Sequence, residues 1–320
     1  MDAAQDLSAS QTGSSLAIPA ASVGMGLRAP HFNDLLTELP EVSWLEVHSE
    51  NYLDEQGVQR YILRQVAQHY PLSFHGVGLS LGSSDPLNPE HLTALKKLID
   101  EFQPALLSEH LSWSSVSGRY FNDLLPIPYT QESLEHFCRQ VDQAQQVLGR
   151  QILVENPTAY LNYKDSIFSE WDFLNQIVEQ TGCGLLLDLN NIYVNSVNHS
   201  FDCQDYLDNI NLDAVGELHL AGFSVNEYDQ GRMLIDTHGN RVSDPVWQLF
   251  AQVRHQLNCQ APALVEWDTD IPEMSVLLEE VGKAEAIQQA KDIEQVDITK
   301  LADDVSAGTG FTVAQEASHV

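Results

Sequence analysis

Seven short apolar runs in this 320-residue chain each stop on a side chain able to bind a metal ion. Trp44-Leu45-Glu46-Val47 leads into His48, Leu72-Ser73-Phe74 into His75, and Ala105-Leu106-Leu107-Ser108 into Glu109. Ile152-Leu153-Val154 leads into Glu155, and Gly184-Leu185-Leu186-Leu187 into Asp188. Val215-Gly216-Glu217-Leu218 leads into His219, and Ala263-Leu264-Val265 into Glu266. Short, β-compatible and apolar on both faces, such runs read as strands of a buried parallel sheet. Hydrocarbon walls do not tolerate a carboxylate or imidazole at the end of such a run unless something pairs with it.

Between the strands the apolar spacing turns helical. Leu53 to His69, Pro89 to Phe102, Thr130 to Leu148 (stopped by Gly149), Glu170 to Gln180, Tyr206 to Leu212, Pro245 to Leu257 and Pro272 to Gln289 read as helices. Val23-Gly24-Met25-Gly26-Leu27 is a first strand ending at Arg28. The strand ends recur about every 36 residues, one βα unit with a generous loop, and eight such units predict a single-domain (β/α)8 TIM-type barrel. An open doubly wound sheet would carry a glycine-rich phosphate turn after its first strand, and here the glycines fall inside the strand. The barrel is expected over residues 22–290. Residues 1–21 read as a disordered tail and 291–320 as a flexible acidic one. Leu111 to Tyr129 reads as a long loop.

A formal charge of −31 makes nucleic acid and anionic membranes poor partners. Cys138, Cys183, Cys203 and Cys259 form no Cys-x-x-Cys pair, which argues against an iron–sulfur or zinc-ribbon site. No segment resembles a signal peptide or reaches the roughly 20 apolar residues of a membrane span, so the cytoplasm is the expected location.

A barrel gathers its strand ends at one mouth. Ten candidate metal ligands then become neighbours: His48, His75, Glu109, Glu155, Asp188, His199, His219, Asp236, His238 and Glu266. His199 and the Asp236-Thr237-His238 triplet are expected in loops after the sixth and seventh strands, where Asp236 and His238, two apart, face the same way. One cation takes about four to six donors, so this set suits two or three ions, and a nitrogen–oxygen set without thiolate suits Fe, Mn or Zn. Several ionised carboxylates in one pocket repel unless dications separate them. Asn156 and Asn191 are expected to ligate weakly or hydrogen-bond the ligands. Taken singly, a strand-end His is ordinarily a hydrogen-bonding residue and a strand-end Asp or Glu a helix cap. The joint pattern carries the reading. His31, His69, His91, His136 and His255 fall on predicted helices as surface or packing residues, and Gly76 to Gly82 reads as a tight loop.

The motifs His48-Ser49-Glu50-Asn51-Tyr52, Phe74-His75-Gly76-Val77-Gly78, Glu109-His110-Leu111-Ser112-Trp113, Glu155-Asn156-Pro157, Leu187-Asp188-Leu189-Asn190-Asn191, His219-Leu220-Ala221-Gly222, Ile235-Asp236-Thr237-His238 and Glu266-Trp267-Asp268 together resemble the multinuclear non-haem iron-dependent oxidative enzymes. That family was long catalogued as uncharacterised and includes the methanobactin and bufferin maturation oxidases. The resemblance covers roughly residues 22 to 285. One departure is Phe223, where it leads one to expect His. It implies a barrel holding two or three irons of mixed Fe(II)/Fe(III) state, with O2 as co-substrate. The substrate it implies is a cysteine-containing, ribosomally made precursor peptide, presented by a leader-peptide-binding partner protein. By the same resemblance His48, His75, Glu109, Glu155, Asp188, His219 and Glu266 hold the central irons. His199, Asp236 and His238 hold a third, and Arg28, Asn122 and Asp123 orient substrate.

The alternatives are a divalent-metal sugar isomerase or a trinuclear-zinc phosphodiesterase or endonuclease on the same barrel. The charge disfavours a DNA substrate. An isomerase normally needs a placed lysine or a hydride-shift pocket, and Lys164 is the only lysine in a suitable loop. A non-catalytic scaffold would leave the strand-end constellation without a cause.

Overall fold

Each apolar run forms a strand, and the strands close on one another. The computed structural model describes residues 16–229 and 231–290. The barrel strands are β1 (Val23–Gly26), β2 (Leu45–His48), β3 (Leu72–Gly76), β4 (Leu106–His110), β7 (Leu153–Glu155), β8 (Gly184–Asp188), β9 (Val215–Leu220) and β12 (Ala263–Val265). They pair in parallel in the order β1-β12-β9-β8-β7-β4-β3-β2, and β2 returns to β1. Helices α1 (Phe32–Thr37), α2 (Val58–Val66), α3 (Pro89–Phe102), α4 (Gln131–Leu148), α5 (Glu170–Thr181), α6 (Leu189–His199), α7 (Cys203–Asn209), α8 (Asp244–His255) and α9 (Met274–Gln289) fill the connections. The (β/α)8 barrel is therefore the observed fold.

Local chemistry sets the helix ends. Asn88 accepts from the backbone N–H groups of Glu90 and His91 with Pro89 in the first turn, and α3 buries Leu92, Leu95, Leu98 and Ile99. Thr130 accepts from Ser133 N to open α4, and Gly149 closes it at φ 72°. Leu185, Leu186 and Leu187 of β8 are all fully buried, each contributing about 1.5–3 kcal/mol on leaving water.

Alternation along the strands fills the barrel's interior with polar groups. Ser73 Oγ donates to Glu217 Oε2 at 3.0 Å across the barrel, and Ser108 Oγ lies 2.7 Å from His75 Nδ1. Ser73, Ser108 and Glu217 thus point inward. With a period of two, so do His75, His110 and His219, each two residues further on.

Three connections differ from the sequence expectation. Leu111 to Tyr129 is largely a β-hairpin, with β5 (Trp113–Val116) antiparallel to β6 (Arg119–Leu125). Its turn residues Ser117 and Gly118 both adopt positive φ, 52° and 70°, the primed-turn geometry that hairpins prefer. A second hairpin, β10 (Ser224–Tyr228) with β11 (Gly231–Ile235), precedes the Asp236-Thr237-His238 triplet. His199 ends helix α6 rather than lying in a loop. The tail expected at 291–320 and residues 1–15 of the one expected at 1–21 lie outside the described residues. Within the remainder, Ala21 N already donates to Gln260 O at 2.8 Å. No helix among the described residues is long and apolar enough to cross a membrane.

Candidate metal centre

The barrel mouth opens into a cleft of about 670 Å³ lined by His48, His75, His110, Glu155, His238 and Glu266. His75 and His110 face each other with Nε2 atoms 3.3 Å apart, and Glu155 Oε2 lies 3.2 Å from the first and 3.1 Å from the second. The other ring nitrogens have partners of their own, and for His110 that partner fixes the tautomer. His110 Nδ1 lies 3.0 Å from the Gly76 carbonyl, which can only accept. His75 Nδ1 lies 2.7 Å from Ser108 Oγ, which is also 3.5 Å from Phe74 O. Burial pushes the His75 imidazole well below its ordinary pKa and His110 down to about 4, so both rings are neutral at pH 7. Two imidazole Nε2 atoms and a carboxyl oxygen therefore converge on one point, where burial also holds the Glu155 carboxyl well above its ordinary pKa, and a cation bound there would replace the proton that this raised pKa favours.

The cluster continues around the mouth. His219 Nδ1 is 2.9 Å from Glu266 Oε2 and its Nε2 is 3.0 Å from Glu46 Oε2. His238 Nε2 is 2.7 Å from Asp236 Oδ1 and 3.9 Å from Asp188 Oδ2, and its Nδ1 is 3.2 Å from Glu266 Oε2. Five overlapping triplets have donor atoms close enough to share an ion: His75-His110-Glu155, Glu155-Asp188-His219, Asp188-His238-Glu266, Glu46-His48-Glu266 and Glu46-Glu217-His219. Glu155, Asp188 and Glu266 each belong to two triplets, the placement a bridging carboxylate needs. Glu46 Oε1, Glu155 Oε2, Asp188 Oδ2 and Glu217 Oε1 are buried carboxyl oxygens with no hydrogen-bond donor of their own. That many orphans in one cleft is foreign to a finished protein interior, and a cation-binding role accounts for them. The donor set fits two or three ions.

Further residues hold the donors in place. Asn156 grips β8 through Asp188 N (2.7 Å) and Asp188 O (3.0 Å). Asn191 N donates to Asp188 Oδ1 at 2.7 Å, capping α6, while its side-chain amide reaches Glu155 Oε1 at 3.4 Å. Asp236 receives Asn190 Nδ2 at 2.8 Å and Thr158 Oγ1 at 3.1 Å. Arg28 extends along Gly26, where a Cβ would stand 2.7 Å from its guanidinium, so only glycine leaves it this path. It donates to Asp268 at 2.5 Å and approaches His48 Nε2 at 3.0 Å. Asn122 and Asp123 sit exposed on β6 at the cleft's rim.

Two expected ligands do not join this cluster. Glu109 falls between the inward-facing Ser108 and His110, so it points out of the barrel and accepts from Leu79 N (2.7 Å) and His110 N (3.0 Å). His110 takes its place. His199, on the last turn of α6, lies 2.6 Å from Ala159 O and 3.0 Å from Asn162 Nδ2, lining a different cavity. Glu46 and Glu217, one layer deeper, and Asp268 were missing from the sequence expectation. Glu46 and Glu217 stand two residues before His48 and His219, so alternation alone could have found them. His91, expected as surface or packing, lines the cleft 3.2 Å from Glu50. Phe223 packs against Tyr193 with the rings tilted at 34° and centroids 5.5 Å apart.

Burial raises Glu46 and Asp188 to about 7, and neighbouring carboxylates push His219 and His238 well above their ordinary range. Metal uptake must displace these protons. Titrating a divalent metal into weakly buffered, metal-free protein at pH 6.5 is expected to acidify the solution, less so at pH 8.5. Equal release at both values would contradict this protonation pattern.

A closed parallel barrel with imidazoles and carboxylates crowded at its C-terminal strand ends is the build of a metal-dependent barrel enzyme. Residues 22–289 match the family of the RiPP precursor modification enzyme MbnB/TglH/ChrH, and the chain belongs to it. It is 51% identical to a UPF0276 protein of Psychromonas ingrahamii over 85% of this chain and 96% of the relative. It is 52% identical to the UPF0276 protein VV3194 of Vibrio vulnificus over 84% and 92%. Among solved structures, endonuclease IV from Thermus thermophilus superposes with TM-score 0.51 at 12% identity over 83% of this chain and 99% of the other. A D-psicose 3-epimerase superposes with TM-score 0.51 at 10% identity over 89% and 96%. At those identities the structural likeness speaks for the fold alone.

Proposed function

We propose that the centre holds two or three irons and that the protein uses O2 to oxidise a cysteine of a ribosomally made precursor peptide. The carrying observation is the convergence of the neutral His75 and His110 Nε2 atoms with Glu155 Oε2 in a mouth that also holds shared carboxylates. His48, His75, His110, Glu155, Asp188, His219, Asp236, His238 and Glu266 are the ligands assigned here, with Glu46 and Glu217 beneath them. Bound there, iron supplies Lewis acidity and one-electron redox chemistry, and O2 accepts the electrons removed from the cysteine. Asn156, Asn191, Asn190 and Thr158 keep the carboxylates aimed inward, Gly76 holds His110 in the ligating tautomer, and Ser108 orients the His75 ring. Arg28, held by Asp268, offers a fixed cation beside His48, suited to orienting a thiolate or carboxylate of the substrate.

A peptide substrate also suits the rim. Tyr120 (72% exposed), Phe121 (44%) and Tyr160 (40%) line the cleft and stand out into solvent, exposed aromatics that mark an interaction surface. A partner protein presenting the leader segment would dock on this side. Among the described residues no lysine lines the cleft, and Lys164 is exposed, so the placed lysine that would favour an isomerase is not found there. Protein purified without oxygen should contain iron by elemental analysis and consume O2 when given a cysteine peptide, and His75→Ala should abolish that consumption. Zinc without iron, or full activity in His75→Ala, would overturn the reading.

A further inference from the structure

Beside the metal cleft lies a second cavity, of about 330 Å³, with aromatic walls. Trp171, Phe201 and Tyr206 form one side, with Trp171 and Tyr206 edge-to-face at 5.4 Å. Glu170 sits among them, receiving Tyr129 OH at 2.8 Å and Tyr206 OH at 2.9 Å on its two oxygens. Tyr163 OH donates to Pro126 O, the His199 ring contacts Ala159 O and Asn162, and the Asn195 amide bridges Ala159 N and Pro157 O. Glu170, Tyr129, Tyr206, Tyr163, His199 and Asn195 are thus already hydrogen-bonded within the protein. Such walls offer an incoming group hydrocarbon and ring faces, and a polar group would lose its water without replacement.

The position says what enters. The segment from Pro157 to Tyr163 is the partition between the two cavities: Thr158 and Tyr160 line the metal cleft, Ala159, Leu161 and Tyr163 the aromatic cavity. The end of strand β6 continues the partition, Leu124 lining the cleft and Pro126, just past the strand, the cavity. Leu161, on the cavity side of this boundary, is 49% exposed. An extended chain lying across the partition with its cysteine in the cleft would pass over the second cavity.

Resting on the peptide-modifying reading above, we propose that the aromatic cavity anchors one aromatic or large aliphatic side chain of the cysteine-bearing peptide. The anchor holds that residue at a set separation from the cysteine and so selects which cysteine enters the cleft.

The test uses the full chain with its metals. N-acetylphenylalaninamide should shift the Trp171 indole N–H signal in a nitrogen–proton NMR spectrum saturably, and N-acetylasparaginamide should not. Leu161→Trp, at an exposed position, fills the entrance with the melting temperature unchanged and should weaken the phenylalanine probe at least tenfold. Glycine–serine peptides carrying one cysteine, with one phenylalanine moved along the chain, should bind at least tenfold better at a narrow range of separations. That gain should vanish in Leu161→Trp. No saturable shift, or peptides that gain nothing from phenylalanine at any separation, would overturn the anchor and leave the oxidase reading standing. Peptides that gain affinity through phenylalanine yet never consume O2 would uphold the anchor while contradicting the oxidase reading.

Discussion

Replacing His110 by alanine is expected to remove metal from the centre and to lower cysteine-peptide turnover by more than the roughly 10–100-fold typical of an outer hydrogen-bonding partner. Without its Nε2, the His75-His110-Glu155 triplet is reduced to two donors, His75 Nε2 and Glu155 Oε2, 3.2 Å apart. Glu109→Gln is the contrasting variant. Glu109 faces away from the cleft, burial raises its carboxyl to about 7, and its oxygens receive Leu79 N and His110 N. A glutamine amide keeps one acceptor and sets its NH2 against the other N–H, costing about 1–3 kcal/mol of stability. Metal content should not change. Ser108→Ala falls between them: His75 loses the hydrogen-bond partner that orients its ring, so activity should drop within the roughly 10–100-fold range while most of the metal stays. Elemental analysis beside a thermal melt separates the three. If Glu109→Gln empties the site and His110→Ala does not, the geometric assignment fails.

The contrast between these neighbours shows what could be read from sequence. That the run Ala105 to Ser108 is a strand with a metal-capable residue after it follows from apolar patterning alone. Which of Glu109 and His110 faces inward depends on parity, and a buried strand with apolar residues on both faces gives no parity signal. Ser108 supplies it only once the strand is seen opposite His75. The same ambiguity hides Glu46 and Glu217, which look like interruptions of an apolar run until the interior is known to be polar. His199 differs for another reason. Leu189 to His199 carries Asn190, Asn191 and Asn195 among its apolar residues, so the side chains that support the centre break the periodicity that would mark a helix. The first hairpin is legible in principle from Ser117-Gly118, but β6 is exposed over most of its length and shows no alternation. By contrast the eightfold repeat, the barrel and the gathering of His48, His75, Glu155, Asp188, His219, Asp236, His238 and Glu266 all follow from the joint pattern. Each depends on where strands end, which apolar runs do record.

Stripping the metal with a chelator is expected to lower the melting temperature on the order of 10 °C, by an amount that grows between pH 6.5 and pH 8. An ion bound at a thousand times its dissociation constant stabilises the folded chain by about 4 kcal/mol. Two such ions contribute about twice that, and each kcal/mol moves the midpoint of a chain this size by about 2 °C. The pH dependence follows from the protons the empty centre holds. Glu46 and Asp188 are raised to about 7 in the folded state, so the stability they contribute is fully present below the ordinary carboxyl range and is lost as pH rises through 7. His219 and His238, raised well above their ordinary value, act in the same sense, losing their contribution as pH rises further. His75 and His110, depressed, oppose them only below about 6.5, where the unfolded chain takes up their protons. Above pH 6.5 the stripped protein should therefore weaken with rising pH. The loaded protein should strengthen, because the metal binds the deprotonated ligands. Melting curves of both forms at several pH values test this directly. A gap that narrows toward pH 8 would mean that these carboxylates and imidazoles do not compete with protons for a common ion.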